Sequence, residues 1–331
     1  MSGDPLIGRL LRSAEPSVRW RTRVEVLGED PDAPALRRLR EEIRRSTRVR
    51  ALRAMARRRT GNPYDKWRGK HWIFAHLADL AYPPGDPELE PLAHEVLDFW
   101  LRPFFFHEFE AGSGRATYGK QGVPRVEGRF RRCASQQGNA LRAALQLGFA
   151  DERCDALAER LIHWQWPDGG WNCDRNPGAD TSSFAETLLA MTSLALYAEV
   201  RADRTAAAAA RRASEVFLRR HLFRRISNGR VMQPDFLKLH FPRYWHYDVL
   251  GGLRGIAAVD RLKDRRTLDA RELLRSKQLP NGGWRTDGRY YRRTATASGP
   301  TVETVDWSSA GRPPINEWVT LEALSVLKPS G

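Results

Sequence analysis

The chain has 331 residues, 41% hydrophobic and 29% charged, with a formal net charge of +15; that apolar content is enough for a sizeable core and excludes a disordered polyelectrolyte. The charge invites a nucleic-acid partner, but 48 of the 55 basic residues are arginine and they are spread over the whole chain instead of forming one tract with interleaved aromatics, so nucleic acid is not the expected partner. Three cysteines, Cys133, Cys154 and Cys173, with no C-x-x-C pair, make neither a disulfide framework nor a zinc knuckle and point to a reducing compartment.

In chain order, the first segment, MSGDPLIGRLLRSAEP, has no cationic stretch followed by an apolar run, and no run of about 18 apolar residues occurs elsewhere. A soluble cytoplasmic protein is expected, for which contact with a membrane surface is the membrane role left open. Residues 1–60 read as two or three strongly charged helices, a cap packed on the same body as the repeats of residues 61–331. GKHWIFAH (69–76) opens a helix with His71 and Trp72. PPGDPELEP (83–91) and GFADERC (148–154) are short connections, with Gly as a stop and Pro or Asp as a restart. DALAERLIHW, SSFAETLLAMTSLALY, ASEVFLRRHLF, WHYDVLGGLRGIAAV and EWVTLEALSVL carry apolar residues at i, i+3, i+4 and i+7, and strand signals are nearly absent. An all-α fold is expected.

One motif recurs. Gln165-Trp-Pro-Asp-Gly-Gly-Trp171 is echoed by Gln278-Leu-Pro-Asn-Gly-Gly-Trp284, 113 positions later, and steps of half that spacing back and forward from Gln165 fall in Gly-containing loops at 101–114 and 221–230. The chain is therefore a repeat of helical hairpins with a period of about 57 residues. This Q-x-P-D/N-G-G-W loop resembles the QW-type repeat of class II terpene cyclases such as the squalene–hopene cyclases, and the Gly-Gly-aromatic repeat of protein prenyltransferase β subunits. RRCASQQGNAL (131–141), WQWPDGGWNCDR (164–175), TSSFAETL (181–188) and FPRYWHYDVLGGL (241–253) also resemble an abundant group of actinobacterial squalene-cyclase-like and prenyltransferase-like proteins, over roughly residues 60–331.

The resemblance implies an α/α toroid of inner and outer helices, with Gln165, Trp171, Gln278 and Trp284 bracing neighbouring repeats. It also implies a terpene-cyclase-like or prenyltransferase-like enzyme acting on a hydrophobic or isoprenoid-type small molecule in a central cavity. The D-x-D-D acid motif of the squalene–hopene cyclases is absent. Against the zinc site of the prenyltransferases, Asp180 falls at the aspartate position, Ser182 at the cysteine position and His246 at the histidine position; Cys173 is the substitute thiolate. Zinc held by Asp180, Cys173 and His246 is the cofactor this implies.

The polar residues that open inner helices are the remaining candidates. Arg132, Cys133, Gln136, Gln137 and Asn139 lie on first turns, although Cys133 alone reads as a small buried hydrophobe. Thr181 or Ser182 serves as an N-cap, and Glu186 is the residue capping explains least. HFPRYWHYDVLGG (240–252) is the densest constellation; there Tyr244 and Asp248, at i and i+4, share a helix face. Asn316 and Trp318 open the last helix. His246, Asp248, Asp180 and Glu186 are the acid–base candidates. Trp72, Cys133, Gln137, Tyr244, Trp245, Tyr247 and Trp318, with Tyr64, Trp67 and Phe130, are expected to line an aromatic pocket. The rival expectation is a non-catalytic toroid that binds or scaffolds.

Overall fold

The computed structural model describes residues 4–58, 61–113, 115–280, 282–292, 305–307 and 315–327. Among the described residues it is mostly helical, as the periodicity predicts. The helices are α1 (Pro5–Leu11), α2 (Pro16–Arg21), α3 (Pro34–Arg44), α4 (Thr47–Ala56), α5 (Lys70–Asp79), α6 (Glu90–Trp100) and α7 (Ala134–Gln146). They continue with α8 (Glu152–His163), α9 (Phe184–Arg201), α10 (Arg204–Leu218), α11 (Val249–Ala258), α12 (Leu268–Ser276) and α13 (Glu317–Leu327). Helix α2 runs on into a π-helical turn, Thr22–Val26.

Packing alternates along the chain. α5, α7, α9, α11 and α13 pack each on the next, and α13 packs on α2 and its π-turn. Ser17 of α2 donates to the carbonyl of Leu80 at the end of α5, 2.7 Å away. The intervening helices lie outside this series: α6 against α5 and α7, α8 against α7 and α9, α10 against α9 and α11, and α12 against α11 and α13. The division follows from sequence. α5, α9 and α13 are apolar almost all round and α11 opens with Gly251 and Gly252, whereas α8, α10 and α12 have one apolar stripe and a charged face.

The two Gly-Gly-Trp turns share the bonds of their tryptophans. Trp171 Nε1 donates to the carbonyl of Leu161 at 2.8 Å and its backbone N–H donates to Thr187 Oγ1 at 3.2 Å. Trp284 repeats both bonds with Leu274 at 2.8 Å and Thr320 at 3.0 Å. The indole thereby ties the helix before the turn to the helix after it, α8 to α9 and α12 to α13. Gln165 is a brace as well, donating to Gly169 O and, across to α10, to Ala209 O at 2.8 Å. Gln278 is exposed; beyond its turn lies the short helix α1, with Leu6 nearest Gly282.

Two expectations are corrected. Strands are present: β1 (Glu108–Glu110), β2 (Val123–Val126) and β3 (Arg129–Phe130) form a sheet in that order. β1 runs parallel to β2, with Glu108 opposite Val123, and β2 and β3 are antiparallel about Glu127 and Gly128, both at positive φ. Runs this short are too brief for alternation to register. Residues 240–247 are also not helical: Tyr244 has φ 54° and α11 begins only at Val249, so Tyr244 and Asp248 share no helix face.

Candidate functional site

Three segments meet at the N-terminal ends of α7 and α9. Cys133 is the N-cap residue of α7. Cys173 lies two residues beyond Trp171, on the chain leaving the Gly-Gly-Trp turn, and Glu186 is in the first turn of α9, whose N-cap is Ser183 rather than Thr181 or Ser182. The two sulfurs and a Glu186 oxygen all lie within 4.8 Å of one another. Cys173 Sγ donates to Glu186 Oε1 at 3.3 Å, and the N–H of Ser135 donates to Glu186 Oε2 at 2.9 Å. Cys133 and Cys173 are half-buried and Glu186 is buried.

Burial raises the Glu186 carboxyl above the ordinary range, against the opposing pull of Ser135, Cys173 and Arg132. The Cys173 thiol is raised by its contact with Cys133, by burial and by Glu186. Arg132 is buried with Nε and Nη2 unpaired, its guanidinium lying 4.6 Å from the Phe105 ring centroid.

Nothing in the repeat requires these groups. In the sister unit Asn316 takes the place of Ser183: its N–H donates to Trp284 O at 2.7 Å, as that of Ser183 does to Trp171 O at 2.9 Å. Its side chain caps Val319 N at 3.1 Å, as Ser183 caps Glu186 N at 3.5 Å. Val319 therefore occupies the position of Glu186, and Thr286, two residues past Trp284, that of Cys173. A valine and a threonine serve the same turn, so the carboxylate and thiol of the first unit are additions to it.

On the same helices, toward their C-terminal ends, lies a cleft of about 540 Å³. Trp72, Tyr244, His246, Trp20 and Arg40 are among the residues that line it. Its lining includes a network of ions. Glu322 of α13 receives Arg21 at 3.1 Å, Arg243 at 2.7 Å and Arg254. Glu25 receives Arg21 at 2.6 Å and Arg254 at 3.1 Å, and Asp79 receives Arg142 at 2.9 Å. Burial opposes the charge on Glu322, but Arg243, Arg254 and Arg21 outweigh it and hold that carboxyl down at about 2.

The sequence-derived candidates distribute unevenly over these two places. Cys133, Cys173 and Glu186 are brought together, and Trp72, Tyr244 and His246 line the cleft. The expected zinc ligands do not converge: Asp180 is exposed, Ser182 is fixed to Asp168 through its N–H at 2.8 Å and its hydroxyl at 2.5 Å, and His246 is stacked on Tyr290 with ring centroids 3.5 Å apart. Burial lowers His246 to about 4, against the contribution of the Arg243 carbonyl that its Nδ1 contacts at 3.0 Å.

Asp248 caps α11 and is not among the residues that line the cleft. Its oxygens accept the N–H groups of Gly251 at 2.7 Å and His240 at 2.9 Å. Tyr247 packs among Phe184, Phe217 and Phe236, with its hydroxyl donating to Leu222 O at 2.7 Å. Trp318 stacks on Phe241 at 4.8 Å and Trp245 lies under Lys66 at 4.2 Å. Gln137 is buried, donating to Phe105 O at 3.4 Å.

The ion network escaped sequence reading because its members run from residue 21 to residue 322 without a motif. The Cys173–Glu186 pair had a usable signal, the contrast with Thr286 and Val319 in the repeated turn. No protein-family model and no curated protein matches the chain.

Proposed function

We propose that the inner helices close into an α/α toroid whose lumen is the cleft, and that the protein is a terpene-cyclase-like or prenyltransferase-like enzyme for an isoprenoid-type small molecule carrying an anionic head. The lining of the cleft carries this reading. Trp72, Tyr244, Phe241 and Trp20 offer aromatic surface to an apolar body, while five arginines, Arg21, Arg40, Arg142, Arg243 and Arg254, outnumber the four acids Glu25, Asp79, Glu199 and Glu322 by one. A cavity for a bare polyene is poorly served by ion pairs, whose desolvation hydrocarbon does not offset; an anionic head matches the extra guanidinium.

Thermal unfolding with farnesyl diphosphate, farnesol and inorganic pyrophosphate as separate probes tests this. Farnesyl diphosphate is expected to raise the midpoint more than either fragment, by mass action on the folded state, and Arg142→Gln is expected to remove most of that rise. Equal or absent shifts with all three would favour a non-catalytic helical body instead.

A further inference from the structure

We infer that Cys133, Cys173 and Glu186 form a zinc-binding centre, distinct from the trio that the repeat family's pattern would supply. The inference stands on the geometry at the N-terminal ends of α7 and α9 and is independent of what the cleft binds.

Two sulfurs and a carboxylate oxygen from three separate chain segments lie within 4.8 Å of one another. Metal–sulfur bonds of ~2.3 Å and metal–oxygen bonds of ~2.0–2.2 Å in a tetrahedron separate neighbouring ligand atoms by about 3.4–3.8 Å. The Cys173–Glu186 edge, at 3.3 Å, would open slightly around an ion, and the other edges, none longer than 4.8 Å, would close by about 1 Å at most. Thiolate, thiolate and carboxylate are a donor set that favours zinc over magnesium or calcium, which take oxygen. Three protein ligands leave a fourth position for water or substrate, and the half-buried state of Cys133 and Cys173 leaves that side within reach of solvent.

The surroundings hold the donors in place as an outer shell must. The Ser135 N–H occupies Glu186 Oε2 and turns Oε1 toward Cys173. The Cys173 segment is pinned on both sides: Asn172 Nδ2 donates to Thr181 O and Asn172 Oδ1 accepts from Asp174 N, each at 2.9 Å. The sister unit, with Thr286 and Val319 at the matching places, keeps the same turn without these donors. The turn therefore does not account for the Cys173 thiol and the Glu186 carboxylate that meet Cys133 here.

Elemental mass spectrometry of the purified, untagged full chain, expressed with added zinc, is the test, together with cobalt(II) titration of the metal-free protein. The expected result is one zinc per chain and an intense thiolate-to-cobalt charge-transfer band. Cys133→Ser, Cys173→Ser and Glu186→Gln are each expected to weaken zinc binding at least tenfold, while Asp180→Ala and His246→Ala keep it. Circular dichroism identifies any variant that fails to fold, and the wild-type cobalt band, with the strength of two sulfur ligands, decides the matter without those variants. A wild type with no zinc and no such band overturns the centre. So does zinc that survives all three substitutions, or zinc lost from Asp180→Ala and His246→Ala but kept by Cys133→Ser.

Discussion

His71 is only 1% exposed, held among Tyr64, Trp72 and Trp100, and its Nδ1 accepts from Trp100 Nε1 at 3.0 Å. Protonation would bury a cation and cost that acceptor. Burial first, then His76 and Arg142, lower it from 6.5 to about 3. Between those values the unfolded chain binds a proton that the folded chain refuses, so this group's contribution to stability falls as pH drops from 6.5 toward 3. The slope it adds is at most about 1.4 kcal/mol per pH unit. Denaturant unfolding at a series of pH values should therefore show His71→Gln losing less stability than wild type on going from pH 7 to pH 4. Parallel curves would contradict the assignment. The sequence placed His71 at a helix start but not its role: the N-cap is Gly69, and the partner, Trp100, lies 29 residues on, outside any local pattern. Asp248 misled for the opposite reason. A carboxylate before Val-Leu-Gly-Gly has the local signature of a cap, and the crowd of aromatics around it drew the functional reading.

At the scale of the element, the Gly-Gly-Trp turn was legible because its chemistry is local and it occurs twice. Its tolerance is narrow. A Cβ on Gly170 would lie 2.4 Å from Thr187 Oγ1 and 2.7 Å from Ser182 Cβ, so Gly170→Ala must displace the hydroxyl that the Trp171 N–H uses. A loss of about 1–3 kcal/mol is expected from the overpacking. Gly61→Ala, where a Cβ meets nothing within 4 Å, should stay within about 0.5 kcal/mol of wild type. Urea unfolding of the two variants side by side checks this, and equal midpoints would mean the turn is not the rigid brace described. The short sheet was illegible because two to four residues carry no period. The candidate metal centre was half legible: Cys173 and Glu186 were each singled out, but their meeting with Cys133 depends on α7 and α9 packing side by side, which no spacing in the sequence encodes.

Across the whole molecule, the charged N-terminal helices are structural members rather than an appendage. Ser13 donates to the buried Glu317 at 2.8 Å, and Arg21 pairs with the buried Glu322, both on α13. Arg48 lies 5.8 Å from the Trp318 ring centroid. Leu6, Leu10, Val18, Leu36, Leu39, Ile43, Val49 and Leu52 all join the same apolar core as the repeats. Fully burying each such side chain is worth about 1.5–3 kcal/mol, so losing eight, about 12–24 kcal/mol, matches or exceeds the net stability of an ordinary domain, about 5–15 kcal/mol. Removing the segment would also strip Glu322 of Arg21 and leave Arg254 without Glu25, opening the ion network in the lining of the cleft. A chain beginning at residue 61 is therefore expected to lose its cooperative thermal transition and its near-UV tryptophan dichroism, while retaining much of its far-UV helical signal. If that truncated chain instead unfolds in one sharp transition near the wild-type midpoint, the repeats form a body complete without the N-terminal helices, and the links from α13 to α2 contribute little to holding it together.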